Sequence, residues 1–91
     1  MTSQNNTITA NGNTTTLSWL GGTGTFTTSG TFDSATVKLQ QSPDGTNFVD
    51  VGLDTTHTAD GVANFVLPPC DVRVNTASGG GSLSVTAWVR Q

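Results

Sequence analysis

The sequence predicts an all-β fold, a single small β-sandwich of about seven or eight short antiparallel strands. Short runs that alternate apolar and polar residues are separated by turn residues at regular spacing, which is typical of sandwiches and barrels. Residues that favour helices are scarce, since all six acidic residues are Asp and the chain has one Met and three Lys and Arg residues together. Jelly-roll and Greek-key connections both fit the predicted strands.

The N-terminal residues are expected to lie outside the sandwich. Residues 1–13 are polar and predict a flexible N-terminal arm, either a frayed tail or a segment that orders against a partner, in which Ile8 is the obvious apolar anchor. The sandwich domain is therefore assigned to residues 14–91. The first strand is predicted over residues 14–20, with Leu17 and Trp19 on its inward face.

Residues 35–52 give the clearest local signal, a β-hairpin. Apolar residues alternate with polar ones up to Gln40, as in a strand with one buried face. The segment 42–45 (SPDG) then has the residues of a tight turn, in which Pro43 sets φ and Gly45 accepts a positive φ. Apolar side chains restart the second strand at Phe48.

The second half of the chain predicts three more strands, at residues 62–67, 71–75 and 82–90. Two prolines end the first of them, because proline cannot donate to a sheet ladder. Residues 78–82 (SGGGS) predict a flexible hairpin loop between the last two strands. Besides Phe26 and Phe32, the side chains expected to face inward are Val72, Val74, Leu83, Val85, Ala87 and Val89.

Composition argues against several classes of function. At 91 residues the chain is one domain, with a net charge of −3 and 10% charged residues. Three basic residues are too few for the positive surface that nucleic-acid binding requires. The polar N-terminus has neither a secretion signal nor an apolar span, so we expect no membrane attachment. The single cysteine excludes an internal disulfide.

Catalytic and metal-binding candidates are weak. Cys70 and His57 have the residue types of a thiol hydrolase, and that hypothesis requires them to be adjacent in space. Their flanking residues match no catalytic motif. The six Asp residues are scattered and lack the spacing of a calcium loop. We therefore expect a protein that is not an enzyme and has no metal and no cofactor.

The last predicted strand contains the best candidate for a binding residue. Trp88 falls on the face opposite the inward valines, together with Thr86 and Arg90, and an outward Trp beside an Arg is typical of an interface anchor. The candidate interface residues are Trp88, Arg90, Thr86 and, in the arm, Ile8. The alternative is a terminal strand buried on both sides, or a Trp that covers the end of the core.

Residues 30–51 (GTFDSATVKLQQSPDGTNFVDV), followed by Phe65-Val-Leu-Pro68, Val72-Arg-Val74 and the glycine-rich segment, resemble small structural proteins of tailed phages. Capsid decoration (cement) proteins and domains of head, neck and tail fibres contain such runs, with Trp where this chain has Phe48. The resemblance covers residues 17–91. It implies a β-sandwich, often a homotrimer, on the outer surface of the virion, where its partner is the major capsid protein.

The resemblance therefore implies a capsid decoration protein that stabilises contacts between capsid subunits. The alternative is a carbohydrate- or receptor-binding module of a phage fibre. A flat apolar patch would favour decoration, whereas a shallow groove with an aromatic side chain would favour sugar binding.

Overall fold

Ten strands form two antiparallel sheets in the computed structural model, which describes residues 3–91. None of these residues is helical. The strands are β1 (Ser3–Ile8), β2 (Gly12–Asn13), β3 (Leu17–Trp19), β4 (Gly22–Thr31), β5 (Thr36–Ser42), β6 (Val49–Asp50), β7 (Thr56–His57), β8 (Gly61–Leu67), β9 (Cys70–Ala77) and β10 (Ser84–Arg90). The predicted all-β sandwich is confirmed.

The two sheets differ in how their strands are paired. The four-stranded sheet has the order β1-β10-β4-β8. In the six-stranded sheet, β9 pairs with β2 and β3 on one side and with β5 on the other, and β5 also pairs with the short strands β6 and β7. The chain passes repeatedly from one sheet to the other, so each sheet is built from distant parts of the sequence.

A hydrophobic core fills the space between the sheets, because each long strand turns alternate side chains inward. The rings of Trp19 and Phe65 pack with their centroids 5.1 Å apart. All the residues expected to face inward from the later strands are buried, and so are Phe26 and Phe32. Leu17 is half-buried and packs against the same cluster.

The N-terminal segment departs from the sequence prediction. Ser3–Ile8 is the edge strand β1, which pairs with β10 from Ser3 opposite Arg90 to Ile8 opposite Val85. Gly12–Asn13 pairs with β9. The expected boundary at residue 14 is therefore wrong for residues 3–13, because backbone pairing incorporates a polar segment that side-chain hydrophobicity does not reveal. Residues 1–2 lie outside the described residues.

The predicted hairpin is present, but its second strand is short. Gln40 lies opposite Asp50 and Gln41 opposite Val49, which closes the hairpin around the predicted turn. Phe48 does not enter the core. Its ring lies 3.9 Å beneath the guanidinium of Arg73, on the outer face of the six-stranded sheet.

The glycine-rich segment crosses between the sheets and does not close a hairpin. β9 belongs to the six-stranded sheet and β10 to the four-stranded sheet. The crossing is held by Asp33, whose carbonyl oxygen accepts from the Gly80 amide at 3.0 Å and whose carboxylate accepts from the Ser82 amide at 2.8 Å. Glycines predict a change of direction, but they do not tell which strand the chain joins next.

Candidate interaction surface

The candidate functional site is the outer face of the four-stranded sheet, centred on Trp88. Side chains alternate along β10, so Val85, Ala87 and Val89 are buried while Trp88 is half-buried on the opposite side. The prediction that Trp88 faces away from the core is confirmed. The surface around it, which we call the Trp88 face, consists of Asn5, Thr25, Thr27, Thr86, Trp88 and Arg90.

Strand register places three of these side chains in one row. Trp88 lies between Asn5 of β1 and Thr27 of β4. Directly opposed residues have Cβ atoms about 4.5–5.5 Å apart, so two short polar side chains flank the indole. Neither is long enough to cover the ring, which explains why Trp88 keeps part of its surface in solvent.

Arg90 gives this face its charge. It is the single charged residue in the four strands of this sheet, and it lies opposite Ser3 and Thr25. Together with Thr27 and Trp88 it lines a depression of about 300 Å³. The face therefore combines an aromatic ring, one positive charge and several hydroxyl groups.

Ile8, the fourth candidate interface residue, does not belong to this surface. Its side chain is 7% exposed and forms part of the hydrophobic core. The alternation along β1 turns Ile8 inward and Asn5 outward. The expectation that Ile8 anchors an arm to a partner is therefore wrong, since pairing with β10 directs it into the core of its own chain.

The outer face of the six-stranded sheet is a weaker candidate, because its polar groups bind one another. The carboxylate of Asp50 accepts from Gln40 Nε2 at 2.9 Å and from Lys38 Nζ at 3.3 Å. These contacts, the Gln40 hydrogen bond first, lower the pKa of Asp50. The Gln40 amide oxygen accepts in turn from Arg73 Nε at 3.0 Å.

The two residues that a thiol hydrolase would need lie apart. His57 on β7 lies opposite Val37 on β5, and Val37 lies opposite Thr76 on β9. Cys70 is also on β9, six residues before Thr76. At about 3.3 Å per residue the separation is roughly 20 Å. Burial raises the pKa of the Cys70 thiol, and the carboxylate of Asp71 raises it further, which disfavours the thiolate that a nucleophile requires.

Within residues 3–91, no three His, Cys or Asp side chains come together as ligands for a metal ion. The same residues contain no helix that is long and apolar enough to cross a membrane.

β8 adds exposed apolar side chains beside the Trp88 face that the sequence prediction did not identify. Val62 lies opposite Thr27, and Val66 lies opposite Thr23. Both faces of β8 carry apolar residues, so alternation alone could not tell which side is inward. The polar residue Asn64, which lies between Val62 and Val66 on the same side of the strand, is the signal that could have identified these two valines as outward-facing.

No family model, curated protein or solved structure matches this chain.

Proposed function

We propose that the protein is a structural component of a phage particle, a capsid decoration protein that binds the outside of the head through the Trp88 face. The Trp88 face is polar and has a depression where decoration would predict a flat apolar patch. The observation that carries the proposal is therefore the half-buried Trp at the centre of a regular sheet, beside the sheet's only charged residue, taken with the resemblance. The partner is the major capsid protein, and the bound protein stabilises contacts between capsid subunits. The resemblance further implies a homotrimer on the capsid.

The chemistry of the Trp88 face suits binding to a large, ordered partner. Trp and Arg are enriched among residues that dominate binding energy, and a Trp at the middle of a patch can fill a pocket on the partner. The surrounding Thr and Asn side chains are short, so fixing them costs less conformational entropy than fixing Lys or Glu side chains.

Binding to capsid shells tests the proposal. Shells assembled from the major capsid protein of the same genome are sedimented with the wild-type protein and with Trp88→Ala. We expect the substitution to reduce the bound fraction at least tenfold, because it removes the proposed anchor. Arg90→Ala should weaken binding less and should reduce its salt dependence, since it removes the charge of the face.

Phe48→Ala is the matched control. It removes another half-buried aromatic side chain, which lies on the outer face of the six-stranded sheet, so it should leave capsid binding unchanged. Thermal unfolding of each variant shows that the fold is retained. Equal binding of the wild type and Trp88→Ala would contradict the proposal.

The depression beside Trp88 favours a second candidate, a sugar-binding module of a phage fibre. A sugar ring could stack on the indole while Arg90 and Thr27 bind its hydroxyl groups. Titration with galactose, mannose and N-acetylglucosamine would then give a saturable change in tryptophan fluorescence that Trp88→Ala abolishes. No saturable change with any of the three sugars, together with capsid binding, favours decoration.

A further inference from the structure

The outer edge of β8 is unpaired and unprotected. β8 is the last strand of the four-stranded sheet, and no described strand pairs with its far side. Natural sheets protect such edges with charged side chains, proline, bulges or very short strands. β8 is seven residues long and contains neither a charge nor a proline. The outermost strands of the six-stranded sheet, by contrast, have only two or three residues.

Apolar side chains surround this edge. Val62 and Val66 are 70% and 73% exposed on the outer face of β8. Beside the strand lies a groove of about 450 Å³, formed by residues 51–55 and 64–67. Leu53, which is 91% exposed, lines this groove. An open strand edge next to an apolar groove is suited to accept another strand.

We infer that the β8 edge binds the β8 edge of a second copy of this chain, antiparallel, with the two-fold axis at Asn64. This register pairs all seven residues of both strands. Asn64 meets Asn64 of the other copy, and Val62 meets Val66 on the outer face. On the inner face, the small Ala63 meets the large Phe65.

The sequence of β8 favours a second copy over an unrelated segment. The same register that maximises strand overlap also places apolar residues opposite apolar ones and amide opposite amide. It brings no like charges together, because the nearest charge before the strand, Asp60, would lie opposite Pro68 of the other copy. The carboxylate of Asp60 is already engaged, since it accepts from the Gly30 amide at 2.9 Å.

This dimer is independent of the proposed function. Pairing at the β8 edge extends each four-stranded sheet sideways and leaves the Trp88 face of both copies uncovered. It is also distinct from the trimer that the phage resemblance implies, since an isologous strand pair has two-fold symmetry. Loss of dimerisation and loss of capsid binding therefore have different causes and can be measured separately.

Light scattering across a concentration series measures whether the protein forms this dimer in solution. We expect the wild-type mass to rise from 9.3 kDa towards twice that value. Asn64→Lys places two positive charges directly opposite each other across the axis and should return the mass to that of the monomer. Thr7→Lys adds the same charge to β1, the opposite edge of the sheet, and should leave the dimer intact. A wild-type monomer at all concentrations, or an oligomer insensitive to Asn64→Lys, would overturn the inference.

Disulfide cross-linking tests the register in a Cys70→Ala background. Opposed residues of paired strands have Cα atoms about 4.5–5.5 Å apart, within the range of a disulfide. Asn64→Cys should therefore cross-link to its own copy under mild oxidation. Val62→Cys alone should not, because position 62 is four residues out of register with itself, but it should cross-link to Val66→Cys in a mixture. Equal cross-linking of Asn64→Cys and Val62→Cys would refute the two-fold register.

Discussion

At the scale of single residues, His57 joins the two sheets through a buried hydrogen-bond chain. Its ring packs against Phe26 with the centroids 5.0 Å apart. Nε2 lies 3.0 Å from the carbonyl oxygen of Asp54, which can only accept, so in the neutral ring Nε2 carries the proton. Nδ1 then accepts from the hydroxyl of Thr28 at 2.7 Å. His57 is therefore a structural residue that connects β4 to β7.

A double-mutant cycle tests this link. His57→Phe keeps an aromatic ring but leaves the Thr28 hydroxyl without its partner, and Thr28→Val leaves Nδ1 without a donor. Each substitution should lower the free energy of unfolding by about 1–3 kcal/mol, the cost of a buried polar group without a partner. In urea denaturation the double variant should lose less than the sum of the two. Strict additivity would show that the hydrogen bond contributes no coupling.

Gly24 is a second position at which a single substitution should change stability, because its site has no room for a Cβ atom. A Cβ there would lie 2.5 Å from Cη2 of Trp19 and 2.6 Å from Cζ of Phe65. Gly24→Ala should therefore destabilise the fold by about 1–3 kcal/mol through overpacking, as measured by thermal or urea unfolding. Gly52→Ala is the matched control, because nothing lies within 4 Å of its Cβ position. A neutral Gly24→Ala would mean that the two rings can move apart.

At the scale of elements, the turn after β5 depends on an ionised carboxylate. Asp44 accepts hydrogen bonds from the backbone amides of Asn47 and Thr46 and from the hydroxyl of Ser42. These bonds, the Asn47 amide first, hold the pKa of Asp44 well below its usual range. The turn is thus stabilised by the charged form of the side chain.

The stability of this turn should therefore depend on pH. Because the folded-state pKa is lowered, the contribution of Asp44 is present above the ordinary Asp pKa of about 3.9 and is lost as the pH falls towards the folded value. The wild type should exceed Asp44→Asn in urea midpoint at neutral pH, and the difference should shrink in acid. If the difference in urea midpoint stays constant from neutral pH into acid, ionisation of the Asp44 carboxyl does not stabilise the turn.

Local patterns predicted the strands but not their partners. Alternation identified β5, β9 and β10, and it assigned Trp88 to the outer side, because these strands have one strongly apolar face. β1 escaped prediction because its inward side chains, apart from Ile8, are the half-buried amides Gln4 and Asn6. Which strands share a sheet depends on pairing between distant residues, and neither alternation nor turn residues specify it.

At the scale of the whole molecule, the sandwich depends on its first strand. β1 covers the edge of β10 and contributes Ile8 to the core. A chain truncated to residues 14–91 should therefore lose most of its cooperative thermal unfolding in circular dichroism, whereas a chain that begins at Ser3 keeps every described strand. A truncated chain that melts like the full protein would restore the domain boundary expected from the sequence.

The antiparallel pairing of β1 with β10 also makes the protein a candidate for circular permutation. Ser3 lies directly opposite Arg90, so a short glycine–serine linker could join the two ends of the described chain without disturbing the sheet. New termini could be opened in the exposed loop at residues 52–54. Such a permutant would move any fused peptide tag from the strand ends beside Arg90 to the groove at the β8 edge of the same sheet.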